Sequence, residues 1–142
     1  MSSATWDEER LGRIRSVPLF AEFGENSLAN VLSLATEFDV AQGHILVRPG
    51  EPGSGLFIIE AGRARVELGD GEVELGEGDF FGDIALLTEA AVHVARVSAS
   101  TPLRGLAIRR DDFDRMLDDE PRLAITMLRA LAQRLAIRTH VI

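Results

Sequence analysis

From Glu37 onward the hydrophobic pattern has a period of two and is cut by turn residues every few positions. Phe38 and Val40 alternate with Glu37 and Asp39, and Ile45 and Val47 follow Gly43. Leu56-Phe-Ile-Ile59 is a short apolar run, and Ala64, Val66 and Leu68 alternate with Arg63, Arg65 and Glu67. Val73 and Leu75 alternate with Glu72 and Glu74, and two further segments fall at Val94 to Ala99 and Leu103 to Ile108. Such a period puts successive side chains on opposite faces of a strand. Turn chemistry separates the segments at Gly43, Pro49-Gly50, Pro52-Gly53, Ala61-Gly62 and Gly69-Asp70-Gly71. About eight short strands at this spacing predict a jelly roll or a similar closed β structure.

Helical patterns bracket these strands. Thr5-Trp-Asp-Glu8 reads as a capping box with acids in the first turn, predicting a helix from about Thr5 to Arg15 that Pro18 ends. A second helix, capped by Asn26 or Ser27, carries Leu28, Val31, Leu32 and Ala35 on one face. Near the C-terminus Leu123, Met127, Leu128, Leu131, Leu135 and Ile142 make an apolar stripe, which Ala130, Ala132, Ala136, Ile137 and Val141 widen. Its polar face is narrow, mainly Arg122, Thr126, Arg129 and Gln133. So wide a stripe calls for two partners, the helix's own barrel and its twin in a parallel homodimer. A helix packed wholly into the core is the other reading.

Composition closes off several chemistries. A chain of 142 residues fits one domain and buries a core without disulfides. It has no cysteine, and all 15 basic residues are arginine. Thiolate sites, Schiff-base lysines and Walker-type phosphate loops are therefore excluded. His44, His93 and His140 are scattered with no His-x-His pair, which argues against a metal-dependent cupin enzyme, and no serine has a triad arrangement nearby. The expectation is a protein that is not an enzyme and has no cofactor. No apolar run approaches the ~20 residues of a membrane span, and Met1-Ser-Ser-Ala-Thr5 lacks the parts of a signal peptide. A cytoplasmic location without membrane contact is expected. Net charge is −8, with six acids between Asp111 and Glu120 and four arginines but no acid after it. The acidic run reads as the solvated surface of a short helix, and direct nucleic-acid binding is not expected.

One stretch carries more than architecture. In Leu75-Gly-Glu-Gly-Asp-Phe-Phe-Gly-Asp-Ile-Ala-Leu-Leu87, three glycines flank two aromatics that anchor the loop, and Ile84 to Leu87 has the composition of one helical turn. Free backbone N–H groups at such a helix start favour an anion. His93-Val-Ala-Arg-Val97 follows.

These two segments resemble the phosphate-binding cassette of cyclic-nucleotide-binding domains, the superfamily of the catabolite activator and the protein kinase A regulatory subunit. The family cassette reads roughly Gly-Glu-(Leu/Ile)-(Ala/Gly)-Leu, a short loop, then Arg-(Ser/Thr)-Ala-x-Val. Ser16-Val-Pro-Leu-Phe20, Ala41 to Leu46, Gly50 to Gly62 and Phe113 to Leu135 are similar to other family segments, in the same order. The resemblance implies an eight-stranded β roll, jelly-roll-like and mainly β with flanking α, with N-terminal helices and a C-terminal helix that lids the ligand and forms the dimer. As one domain over 1–142, it divides into N-terminal helices at 1–36, a roll at 37–109 with the cassette at 82–97, and C-terminal helices at 110–142.

The same resemblance implies ligand contacts at Phe81, Gly82, Asp83, Ile84, Ala85, His93, Val94, Arg134 and Thr139, with cyclic AMP or cyclic GMP as the ligand. Three of these depart from the family pattern. Asp83 stands for the glutamate that accepts from the ribose hydroxyl, one methylene shorter, and reads equally well as the cap of the helical turn at Ile84. His93 stands for the arginine that pairs with the cyclic phosphate. Histidine is half-charged only near pH ~6.5, and losing one charge-assisted contact costs roughly 1.5–3 kcal/mol. Val94 stands where a hydroxyl or alanine is usual. Arg96 is no substitute, because alternation points it to the other face. Arg134 and Thr139 match lid-helix positions that approach the base. The expected function is a non-catalytic regulatory sensor with weak or altered nucleotide binding. The alternative is a degenerate module that serves dimerisation or contact with a partner protein. Regulators of the catabolite-activator type continue into a helix-turn-helix, whereas this chain stops at Ile142, which points to a partner or to a longer protein.

Overall fold

The computed structural model of the chain describes residues 3–69, 71–83, 87 and 93–139, with side chains between Glu8 and Leu135. Two helices, α1 (Ser3–Arg15) and α2 (Glu25–Leu34), flank a 3-10 turn at Pro18–Phe20. Strands follow at β1 (Thr36–Val40), β2 (Ile45–Val47), β3 (Gly55–Ala61), β4 (Ala64–Leu68), β5 (Gly71–Leu75), β6 (Phe80–Phe81), β7 (Arg96–Ala99) and β8 (Leu103–Arg109). Two helices close the chain, α3 (Arg110–Asp119) and α4 (Pro121–Thr139). The strands form two four-stranded antiparallel sheets, ordered β1-β8-β3-β6 and β2-β7-β4-β5. The predicted mainly-β roll with flanking helices is thus the fold.

The two sheets differ in what covers them, and the sequence pattern follows. On β3, Leu56 and Ile58 pack outward against the helices, in a cluster with Phe20, Leu28, Phe113, Met116, Leu123 and Met127. Phe57 and Ile59 point the other way, into the interior of the roll with Phe81, Val97 and Leu103. A strand buried on both faces loses its alternation, which is why Leu56 to Ile59 is uniformly apolar. Burial of each such side chain contributes about 1.5–3 kcal/mol. Strands β4 and β5 cover the interior with one face only. There Val66 lies between Val73 and Val97 across the sheet, while Arg65 and Glu74 are exposed on the opposite side.

Several local expectations need correction. Helix α1 starts at Ser3, so Thr5 lies inside it rather than at its cap, and Pro18 opens the 3-10 turn instead of ending the helix. Asn26 and Ser27 also lie within their helix: α2 begins at Glu25 after an extended Gly24 with no side-chain cap. The Ser27 hydroxyl instead donates to the Glu120 carboxylate, tying α2 to the α3–α4 corner. Strand β6 was not predicted, because two residues are too few to show a period. It exists because Phe80 and Phe81 pair with Ile58 and Phe57. The Phe57 and Phe81 rings stack at 4.9 Å. Strand β7 begins at Arg96, two residues later than Val94. Predicted helical residues 84–86 lie outside the described residues.

Candidate functional site

The cassette is built on a loop stitched to β3. After β5 the chain turns through Gly76 to Asp79, where the Asp79 carboxylate accepts from the Gly76 amide at 2.8 Å. The Gly78 amide donates to the Ile59 carbonyl at 2.8 Å, and the Ile59 amide donates to the Asp79 carbonyl at 2.9 Å. This fixes where β6 begins. Phe80 then enters the outer cluster and Phe81 the interior. Gly82 turns the chain with φ at +90°, and a Cβ there would stand 2.5 Å from the Gly55 carbonyl oxygen. Both facts demand glycine. The turn delivers Asp83 into the protein at 3% exposure.

At the other end of the cassette, His93 is held by its backbone. Its carbonyl accepts from the Gly50 amide and its amide donates to the Glu51 carbonyl, each at 2.8 Å. The ring is buried at 8% exposure. Burial holds the imidazole below its usual 6.5, only partly offset by the Glu51 carboxylate. At neutral pH, His93 is therefore uncharged.

Asp83 and His93 line one cavity of about 510 Å³ between the β2-β7-β4-β5 sheet, the cassette and α4. Its wall is mostly aliphatic: the Val73, Val66 and Val97 row, Val47, Leu68 and Leu75, with Phe81 from the cassette. From α4, Leu131, Arg134 and Leu135 reach the same space, so this helix lies across the cavity. Arg134 donates from Nη2 to the Phe80 carbonyl at 2.7 Å, and its guanidinium stacks 4.3 Å over the Phe80 ring. Its Nη1 approaches Asp83 Oδ1 at 3.8 Å. Asp83 Oδ2 has no hydrogen-bond partner among the described residues. Burial pushes the Asp83 carboxyl up from its usual 3.8, against the pull of Arg134 and of its own backbone amide.

Of the residues singled out from sequence, Phe81, Gly82, Asp83, His93, Val94 and Arg134 thus converge on one cavity. Ile84 and Ala85 lie outside the described residues, and the Thr139 side chain does too. Val94 lines the cavity at its exposed rim, and Arg96 is exposed and absent from the wall. His93 and Ala95 face inward although they precede β7: burial alternates from His93 to Val97, and the backbone bonds to Gly50 and Glu51 hold His93 in place. Sequence reasoning missed the aliphatic wall and the Arg134 contacts with Phe80 and Asp83. The i, i+3, i+4 spacing of Leu131, Arg134 and Leu135 was the available signal. Among the described residues no cluster of His, Asp and Glu is arranged to hold a metal, and no helix is long and apolar enough to cross a membrane.

Comparison with known proteins converges on one family. The sequence profile of the cyclic nucleotide-binding domain matches residues 37–120. A cyclic nucleotide-gated potassium channel of Rhizobium etli is 33% identical over 121 residues, 85% of this chain and 34% of the channel. The chain spans about a third of the length of such channel relatives. In structure it is similar to the sensor domain of the transcriptional regulator DNR from Pseudomonas aeruginosa, with TM-score 0.75, 22% identity, and coverage of 96% of this chain and 95% of that one. It is also similar to the regulatory domain of Toxoplasma gondii protein kinase A crystallised with cyclic AMP, with TM-score 0.79, 22% identity, and coverage of 91% and 51%. With the roll, the cassette and the profile match in agreement, the chain belongs to the cyclic nucleotide-binding domain family.

Proposed function

We propose that this chain is a non-catalytic regulatory sensor whose cavity takes a cyclic nucleotide, cyclic AMP or cyclic GMP, weakly or in an altered pose. The observation that carries this reading is the cavity itself, a preformed apolar space with Asp83, His93 and Arg134 as its titratable groups. An uncharged His93 at the position of the family arginine removes a permanent cation. Asp83 Oδ1 lies 3.8 Å from Arg134, and Oδ2, without a partner among the described residues, is the oxygen that a ribose hydroxyl would address. Phe81, Gly82, Ile84, Ala85, Val94 and Thr139 complete the proposed contacts, and no cofactor is required. The relatives support the ligand class: one is a cyclic nucleotide-gated channel, and another was crystallised with cyclic AMP.

Calorimetric titration with cyclic AMP and with cyclic GMP tests the reading directly. Saturable heat with either, at affinity that substitution of position 93 alters, supports it. Absence of binding by both overturns it in favour of a second reading, a degenerate module that acts through dimerisation or a partner protein. That reading draws on α4, where Ile125 and Leu128 are 48% and 68% exposed. As a sensor of this kind, the protein would work in the cytoplasm.

A further inference from the structure

Among the described residues that line the cavity, one carries a permanent positive charge, and it comes from α4 rather than from the cassette. Arg134 is 32% exposed, so its guanidinium is only partly desolvated and remains within reach of a ligand. The Phe80 carbonyl takes one N–H, and the Phe80 ring fixes the plane of the group. Its distance of 3.8 Å from Asp83 Oδ1 exceeds hydrogen-bond length, so the carboxylate attracts the cation without consuming its donors. A guanidinium has five N–H donors in a rigid fork that matches phosphate oxygens. His93, across the same cavity, is neutral at pH 7 and offers no competing charge.

We infer that Arg134 holds the anionic phosphodiester of a ligand in this cavity, in place of the cassette residue that His93 replaces, so that anion binding requires α4 to lie across the site. This rests on the cyclic-nucleotide reading of the cavity and changes where its charge comes from. When the cation belongs to the cassette, the anion is held whether or not the helix is closed. Here the Arg134 cation, Leu131 and Leu135 are presented by the same turn of helix, and ligand capture and closure become one event. An incoming phosphodiester would compete with Asp83 for Arg134, since both are anions addressing the same fork.

Titration of cyclic AMP into the unaltered protein, Arg134→Gln and Arg134→Lys, at about pH 8 where imidazole is neutral, tests this. Arg134→Gln is expected to lower affinity about ten- to a hundredfold, the loss of one charge-assisted contact. Arg134→Lys should recover part of that loss. Far-UV circular dichroism of each variant verifies that α4 is retained. Undiminished affinity in Arg134→Gln overturns the inference alone, as does Arg134→Lys binding no better than Arg134→Gln, because the loss would then be one of packing. Absence of cyclic AMP binding by the unaltered protein overturns the inference together with the reading beneath it.

Discussion

His93 sits at the junction of cassette and β7 with its backbone bonded to Gly50 and Glu51, so a longer side chain at this position projects from the same fixed point into the same cavity. Arginine there would add a permanent cation and a planar fork. His93→Arg should therefore strengthen cyclic AMP binding about tenfold or more, as read by calorimetry. An unchanged affinity would mean that Val94 and the Asp83–Arg134 pair leave no room for the phosphate. The same residue makes a second prediction through pH. The folded state holds the His93 imidazole below its usual 6.5, so the unfolded chain binds the proton more readily. Its contribution to stability is complete above 6.5 and is lost as pH falls through the unfolded value toward the folded one. Asp83 has the opposite sign: its raised carboxyl value makes ionisation costly, and its contribution is largest at low pH. Thermal melts between about pH 7.5 and about pH 5.5 should show a fall in the melting temperature that shrinks in His93→Gln. An identical fall in the variant would assign the loss to other groups.

Helix α4 divides along its length. Leu123 and Met127 are core residues, and Arg122 pairs with Glu22 at 3.4 Å, so the N-terminal half is anchored to the segment around the 3-10 turn. Leu131 and Arg134 face the cavity and Phe80. The apolar stripe open to a second copy is thereby narrowed, because Leu131 belongs to the helix's own barrel. Ile125 and Leu128, one helical turn apart, lie in the outward stripe, and Leu135 is exposed further along the helix. Two copies would bury it by symmetry, each presenting the same patch to the other. Replacement of both by glutamate is expected to turn a dimer into a monomer in light scattering, with the circular dichroism of the roll unchanged. A monomeric unaltered protein at micromolar concentration would remove the second copy from the account.

The whole molecule is bound together by the sheet that has two buried faces. Strand β3 contributes Ile58 to the helical cluster and Ile59 to the interior of the roll, so helices and roll share one structural element. Ile58→Ala removes buried methyls from a site with no exposure and should cost about 2–5 kcal/mol. Because the strand joins the two clusters, helical and sheet signals should melt together at a lower urea concentration. Separate transitions for the helices and the roll would show that the clusters are energetically independent.

The period-two pattern and the turn residues determined the class of fold, because alternation along β4 and β5 reports directly that one face is wet. Glycine at position 82 and the apolar face of α2 were equally local, and legible for that reason. The cassette could be located by resemblance, and six of the nine ligand contacts that the resemblance implies, Arg134 of α4 among them, do meet in one cavity. Strand β6 could not be found, since its two residues are held by pairing with Ile58 and Phe57, more than twenty positions earlier. Nor could the cap at α2, where Ser27 is drawn to Glu120 at the far end of the chain. Only the tertiary structure brought Arg134 against Phe80 and Asp83, because no local rule relates residues some fifty positions apart. The cavity's permanent charge among the described residues comes from α4, because folding lays that helix across the sheet.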